Sequence, residues 1–285
     1  MADGSYVQVQ DLSRLMVAMR PRLHRYCARM VGSAIDGEDV VQDALVKAAA
    51  AVFGGIERPE RWLFRIAHNT ALDALRRRRR RQDSAFDPDI GGDPQAAADI
   101  RVGASETLRV FLCLPPVQRS VVLLVDVLGH SMAEAGEILQ ITIASGKAAL
   151  QRGRARLQAW AGSPPQTPAL SASEGARLRA YADRFNARDF DALRALLAED
   201  VRLDLAARGR LEGAPKVSVY FTRYQENPNW RVSLCLAEGR PGLLFSDTEL
   251  GDYVALLAWR GEQIVAIRDF RYAPYAMEDM AVALL

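Results

Sequence analysis

The densest chemistry in this 285-residue chain is a run of six arginines, Arg76–Arg81. A guanidinium presents a planar fork of donors to phosphate oxygens, and each phosphate it neutralises releases a counterion. With roughly three to five arginines engaged, log affinity for DNA falls against log salt with a slope of about −0.9 per contact. The plainer reading, a solvated helix end, leaves six like charges repelling one another. Arg152, Arg154 and Arg156 form a second basic cluster. Just ahead of the first run, Trp62, Phe64, His68 and Asn69 fall within eight residues. Aromatic rings stack on exposed bases, and an Asn amide bonds base edges. Trp62 taken alone fits a core position better than a base platform. Asn69 lies beside an apolar stripe and can reach outward, and His68 reads as a surface or half-buried residue with no chemistry assigned.

Asp36, Glu38, Asp39 and Asp43, with Gln42, form an acidic helix face. They lack the pocket, metal partner or nucleophile that acid–base work needs, whereas docking needs only a basic partner; a merely solvated acidic surface is the alternative. Further on, Ser131 and Thr142 are suited to cap two helices joined by three or four residues, the second ending in basic residues. That is a helix-turn-helix pattern. Thr142, Ser145, Lys147 and Gln151 would meet base edges or backbone, and Arg152 and Arg154 the phosphates. A purely structural helical hairpin is the rival. In the last third, Asp204, Asp247, Asp252 and Asp269 are the acids available for proton transfer. All three histidines, His24, His68 and His130, precede this region, so a histidine base within it is excluded. Two of the acids facing one cavity would keep catalysis open; otherwise each closes a strand end or a turn. No catalytic residue, metal site or cofactor is assigned.

These residues need elements to hold them. Residues 6–82 read as helices. Leu12, Leu15, Met16, Met19, Leu23, Tyr26 and Cys27 recur at spacings of three and four, with Pro21 a possible bend. Asp36 is the expected cap of the next helix, Gly54-Gly55 its end, and Pro59 opens a long helix that runs into the arginines. Residues 83–102 form an acidic linker holding Pro88, Gly91, Gly92 and Pro94. Residues 103–160 are helical again, with a buried helix expected over Val117–Val127, and 161–170 form a Pro-rich tether. Over 171–285 the pattern turns α+β. Two helices are expected at Ser173–Asn186 and Phe190–Leu197 and a third near Ala214–Tyr224. Strands are expected at Val201–Leu205, Trp230–Leu236, Leu243–Ser246, Tyr253–Trp259 and Ile264–Phe270. Pro241-Gly242 and Arg260-Gly261-Glu262 look like hairpin turns, and Tyr220, Trp230, Trp259, Phe270, Tyr272 and Tyr275 are taken mostly as core.

Composition agrees with this division. The net charge of +2 hides 22 basic against 18 acidic residues in 1–165, and 15 against 17 in 166–285. The three cysteines lie far apart, which excludes a disulfide framework or clustered zinc site and suits a reducing cytoplasm. No uncharged apolar run approaches the about 20 residues of a membrane span, and MADGSYVQVQ does not open as a secretory signal.

In order, AIDGEDVVQDALVKA, RPERWLFRIAHNTALDALRRRRR, LPPVQRSVVLLVDVLGHSMAEAGEIL and KAALQRGRARL resemble a bacterial RNA polymerase sigma factor of the extracytoplasmic-function type over about residues 10–160. ARDFDALRALLAEDVRLD and AIRDFRYAPYAMED resemble the SnoaL-like cone fold. The resemblance implies two all-α domains, region 2 (6–82) and a helix-turn-helix region 4 (103–160), then an α+β cone with a curved antiparallel sheet and helices (171–285). It implies an alternative sigma factor, not an enzyme, that binds core RNA polymerase and directs promoter recognition and melting. Asp39, Gln42 and Asp43 would dock on the polymerase clamp coiled coil. The loop from Phe53 to Pro59, with Trp62 and Asn69, would hold an extruded minus-ten base, at a cost of a few kcal/mol of stacking. Arg76, Arg77 and Arg78 and the rest of the run would grip the adjoining backbone, and the 142–154 helix would enter the minus-thirty-five major groove. Two positions depart from the pattern. Gln140 stands where Gly is common and would have to adopt a left-handed conformation. Gly146 would loosen the reading helix by up to about 1 kcal/mol relative to Ala. The cone would modulate activity and is a possible small-molecule site. Two rivals remain: a DNA-binding regulator that never joins polymerase, and a fused small-molecule enzyme.

Overall fold

The computed structural model describes residues 3–51, 57–84, 106–160 and 170–285. Phe53, Gly54-Gly55 and most of both linkers lie outside the described residues, as does the Arg81 side chain. The chain forms two compact units, Met1–Pro164 and Pro165–Leu285.

Unit 1 is helical. Helix α1 (Asp3–Val31) continues through the exposed Pro21. Helix α2 (Ala34–Ala50) is capped by Ser33 rather than Asp36: the Ser33 hydroxyl accepts the Asp36 N–H at 3.0 Å. Gly37 explains how closely α2 approaches α1, because a Cβ there would meet the Ala28 backbone at 2.6 Å. Helix α3 (Pro59–Ser84) opens on its proline. A short helix α4 (Glu106–Arg109) and a 3₁₀ turn (Val110–Cys113) lead to α5 (Pro116–Val122). The expected single helix to Val127 instead widens into a π turn over Leu123–Val127. Helix α6 (Met132–Leu139) has a complete Ser131/Glu134 capping box, and Thr142 caps α7 (Ile143–Gln158). Gln140 between them is left-handed, φ 56° and ψ 45°. Gly146 has a packing reason invisible in the sequence, since a Cβ would meet Met132 Sδ at 2.6 Å.

The two helical segments share one core. Leu23, Tyr26 and Met30 of α1, Val41 and Ala44 of α2, and Leu63, Phe64 and Ala67 of α3 pack in one cluster with Leu123, Leu124, Ala135 and Ile138. A smaller cluster of Leu114, Val121, Val122, Ala149 and Leu150 fixes α7 to α5.

Unit 2 is α+β. Helices α8 (Ala172–Asn186), α9 (Phe190–Ala195) and α10 (Ala214–Glu226) pack on a curved seven-stranded sheet. Its strands are β1 (Leu197–Leu205), β2 (Gly209–Glu212), β3 (Arg231–Ala237), β4 (Arg240–Ser246), β5 (Tyr253–Arg260), β6 (Gln263–Asp269) and β7 (Val282–Leu284), in the order β2-β1-β6-β5-β4-β3-β7. All neighbours are antiparallel except β1 and β6, a parallel pair the alternation of residues could not disclose. The short edge strands β2 and β7 were also not expected. Pro241-Gly242 lies inside β4, and the β3–β4 turn falls at Glu238-Gly239, both with positive φ. Asn186 ties α8 to the sheet by donating to the Val232 carbonyl at 2.8 Å and accepting its N–H at 2.9 Å.

Candidate nucleic-acid and polymerase interface

On α2, Asp39, Gln42 and Asp43 are exposed. Glu38 is not part of that face: it is buried and ion-paired with Arg20, which also donates to the Gln42 side chain at 2.8 Å. On α3, Asn69, Arg76 and Arg77 are exposed, while Trp62 and Arg78 are half-buried. Positions 62, 69 and 76 recur every seven residues and so follow one side of the helix. The arginines are partly engaged within unit 1. Arg76 donates to Asp73 at 3.0 Å, and Arg77 lies 3.7 Å from Asp43, joining the basic face of α3 to the acidic face of α2. Such exposed pairs contribute little and exchange readily for other partners.

Phe64 and His68 turn inward. Phe64 is fully buried, edge-on to Tyr26 and His130, which removes it from any base platform. His68 is buried as well, contrary to the surface or half-buried position expected, because its ring nitrogen meets the Tyr26 hydroxyl at 2.8 Å and lies 3.4 Å from the Ser120 hydroxyl. Burial, then the Arg76 charge, pushes its pKa down to about 4.

On α7, Thr142, Ser145, Lys147, Gln151 and Arg152 are exposed, while Gly146, Ala149, Leu150 and Gly153 face the core. Arg154 is exposed but held by a two-point ion pair to Asp126, at 2.6 and 3.0 Å. The Thr142 hydroxyl accepts the Ser145 N–H at 3.2 Å, so that oxygen is already used in capping.

Sequence reasoning treated residues 6–82 and 103–160 as separate bodies and missed what joins them. Arg61 donates to Glu137 at 2.6 Å and Glu134 at 2.7 Å, and Arg58 donates to Glu137 at 2.7 Å. The Ser131 cap and Arg61 hold Glu134 far below the usual carboxylate range, at about 2, and Arg58 and Arg61 lower Glu137. Arg119 reaches across the core to the Met30 carbonyl and also donates to Leu114 O at 2.9 Å; burial lowers it to about 10, so it stays charged at neutral pH. Nothing in local spacing links residues 58 and 137, although two arginines facing a Glu-x-x-Glu pair was a usable signal.

The four acids of unit 2 have distinct surroundings. Asp252 is exposed, and Asp204 is half-buried, 3.6 Å from Arg210. Asp247 closes a turn, accepting the Glu249 and Leu250 N–H groups, which lower its pKa. Asp269 alone is fully buried, accepting Tyr220 Oη–H at 2.6 Å and the Arg271 N–H at 2.7 Å; burial raises it to about 6. Of the aromatics expected in the core, Tyr220, Trp230 and Phe270 are buried, whereas Trp259, Tyr272 and Tyr275 are half-buried. Among the described residues no cluster of three metal-ligating side chains occurs, and no helix is long and apolar enough to cross a membrane.

Three family models match this chain in succession: Sigma-70 region 2 over residues 15–81, Sigma-70, region 4 over 106–157, and a SnoaL-like domain over 178–269. Unit 1 is therefore of the sigma-70 class. The chain is 30% identical over 271 residues to the ECF RNA polymerase sigma factor SigG of Mycobacterium tuberculosis, spanning 81% of this chain and 72% of that one. The ECF RNA polymerase sigma factor SigW of Bacillus subtilis is 29% identical over 156 residues, covering 49% of this chain and 82% of its own. The crystal structure of the Mycobacterium tuberculosis extracytoplasmic function sigma factor SigJ aligns with 90% of this chain and 95% of its own, at 19% identity and a TM-score of 0.36. The chain belongs to the ECF RNA polymerase sigma factor family, with a SnoaL-like domain at its carboxyl end.

Proposed function

We propose that this alternative sigma factor docks on core RNA polymerase through Asp39, Gln42 and Asp43 of α2 and reads promoter DNA through α3 and α7. The carrying observation is the exposure, on adjacent helices, of the acidic triplet and the Asn69–Arg76–Arg77 side. The clamp coiled coil is the basic partner the triplet suits. Trp62, Asn69 and the loop from Phe53 receive one unstacked minus-ten base, and Arg76, Arg77 and Arg78 grip the backbone beside it. Thr142, Ser145, Lys147, Gln151 and Arg152 face the minus-thirty-five groove, with Arg154 joining once it leaves Asp126. The chain acts by binding rather than bond-making, in the cytoplasm where its partners are, and the SnoaL-like domain modulates it.

A pull-down with core polymerase tests the reading. The native chain is retained, and Asp39→Arg with Asp43→Arg is not. Retention of the double variant at native levels overturns the docking assignment; failure of the native chain to bind leaves a regulator that works without polymerase. With holoenzyme in hand, Arg76→Gln with Arg77→Gln flattens the salt dependence of promoter binding by about 0.9 in log–log slope per lost phosphate contact. The modulating role is tested by run-off transcription from residues 1–165 against the whole chain; equal activity and promoter choice end it.

A further inference from the structure

The polar interior of unit 2 has no part in binding polymerase or DNA, and its hydrogen bonds do not balance. The sheet register brings one set of strand ends together: the start of β3, the end of β4, the start of β5 and the end of β6. Arg231 pairs with Ser246, Phe245 with Tyr253, and Ala255 with Asp269. At this rim lie Trp230, Phe245, Tyr253, Asp269 and Arg271, with Tyr220 and Tyr224 of α10 packed against them.

The hydroxyls form a one-way chain. Tyr220 donates to Asp269, Tyr224 donates to Tyr220 at 2.9 Å, and Tyr253 therefore donates to Tyr224. Asp269 Oδ1 is taken by the Arg271 N–H. Every hydroxyl proton is used internally, and burial holds all three phenols protonated. Two donors are left over. The indole N–H of Trp230, a residue 1% exposed, and the buried Nη1 of Arg271 have no hydrogen-bonding partner among the described residues. They belong to neighbouring side chains, the guanidinium carbon lying 5.1 Å from the Trp230 ring centre and 5.8 Å from that of Tyr224. A buried donor without an acceptor is costly, and natural interiors rarely keep one.

We propose that this rim of unit 2 is a binding site for a planar, uncharged molecule whose carbonyl oxygen accepts from Trp230 Nε1–H and Arg271 Nη1–H. The inference deepens the small-ligand reading of the SnoaL-like domain. The leftover groups are donors only, so the ligand supplies an acceptor. The walls are aromatic: Trp230 meets Tyr253 edge-on at 5.3 Å, and Tyr253 stacks on Phe245 at 4.9 Å, which suits a flat apolar body. An uncharged carbonyl fits better than a carboxylate because the Arg271 charge already acts on two anions, Asp269 and Asp247. A third negative charge would be desolvated beside them with no cation of its own.

Calorimetric titration of the full-length protein with 2-acetylnaphthalene, naphthalene and 2-naphthoate at pH 7.5 tests this, with the Trp indole N–H resonances followed by NMR. The expected order places the ketone at least about tenfold tighter than naphthalene, and the naphthoate weaker than the ketone. Trp230→Phe keeps the ring and removes the donor; it weakens the ketone about three- to tenfold and leaves naphthalene unchanged. Its own indole resonance, assigned by its loss in that variant, moves downfield when the ketone binds. If Trp230→Phe unfolds unit 2, that resonance shift in the native chain decides the matter. Equal affinity for naphthalene and the ketone, tighter naphthoate, an unmoved resonance or no binding at all overturns the proposal. Core-polymerase binding measured on the same preparation judges the sigma reading separately.

Discussion

The two units treat buried polar groups in opposite ways. In unit 1 they serve as fasteners between helices distant in sequence: Arg119 on the carbonyls of Met30 and Leu114, and Tyr26 on His68. The residues proposed to meet polymerase and DNA stand outside, on exposed faces of α2, α3 and α7. In unit 2 the polar groups converge on one interior rim around Asp269, and two donors there remain unspent. A unit that binds large charged partners can keep its function on the surface and use its interior only for cohesion. A unit that would bind a small molecule has to put polar groups inside, where they weaken the core unless a ligand completes them.

The contrast breaks first at Arg119. Arg119→Met strands at least two buried carbonyls and should lower unit 1 stability by about 3 kcal/mol in urea denaturation. Amide exchange in unit 2 should be unchanged; an equal loss there would mean the two units do not unfold independently. Close packing is the next test. Gly37→Ala gains helix propensity but drives a methyl into the Ala28 backbone, so a net loss of about 2 kcal/mol is expected, again confined to unit 1. A rise in stability would show that α1 and α2 can separate freely.

Acid should act on the two units with opposite signs. His68 has a folded pKa of about 4, below its unfolded value, so the unfolded chain takes up the proton first. Stability of unit 1 is then lost as pH falls from about 6.5 towards 4, by about 2 kcal/mol at pH 5. The lowered carboxylates Glu134 and Glu137 add to that loss at lower pH. Asp269 has a folded pKa of about 6, above its unfolded value, so the native state holds the proton first. Its burial cost shrinks as pH falls through 6, and unit 2 gains about 1 kcal/mol between pH 7 and 5. Amide exchange resolved by unit at pH 7 and 5 reads both signs; a shared sign would remove either His68 or Asp269 as the titrating group. The smallest effect belongs to the turn before α7. Gln140→Gly relieves a left-handed side chain and should stabilise unit 1 by about 0.5 kcal/mol, with α7 reading the same DNA.

Much was legible in the residues. The Ser131 and Thr142 caps, the left-handed Gln140, the proline opening α3, the five central strands and the exposed acidic and basic faces all follow from local chemistry, and each lies in the structure as read. Ser33 displaced Asp36 as a cap because both can accept an N–H and only the folded chain shows where helical geometry starts. Pro241 sits in β4 because the positive-φ pair Glu238-Gly239 already makes the turn. The short edge strands carried too few residues to alternate visibly.

By itself, the sequence determined which segments are helical or extended, where charge accumulates and which family the chain resembles, because caps, periodicity and sterics act over a few residues. Only the tertiary structure decided that Phe64 and His68 turn inward, that the two helical segments share one core, and that Asp269 alone of four acids is sealed among tyrosines. Burial depends on neighbours that arrive from 42 to 90 residues away, as with Tyr26 and His68 or Met30 and Ser120. No local pattern contains that information.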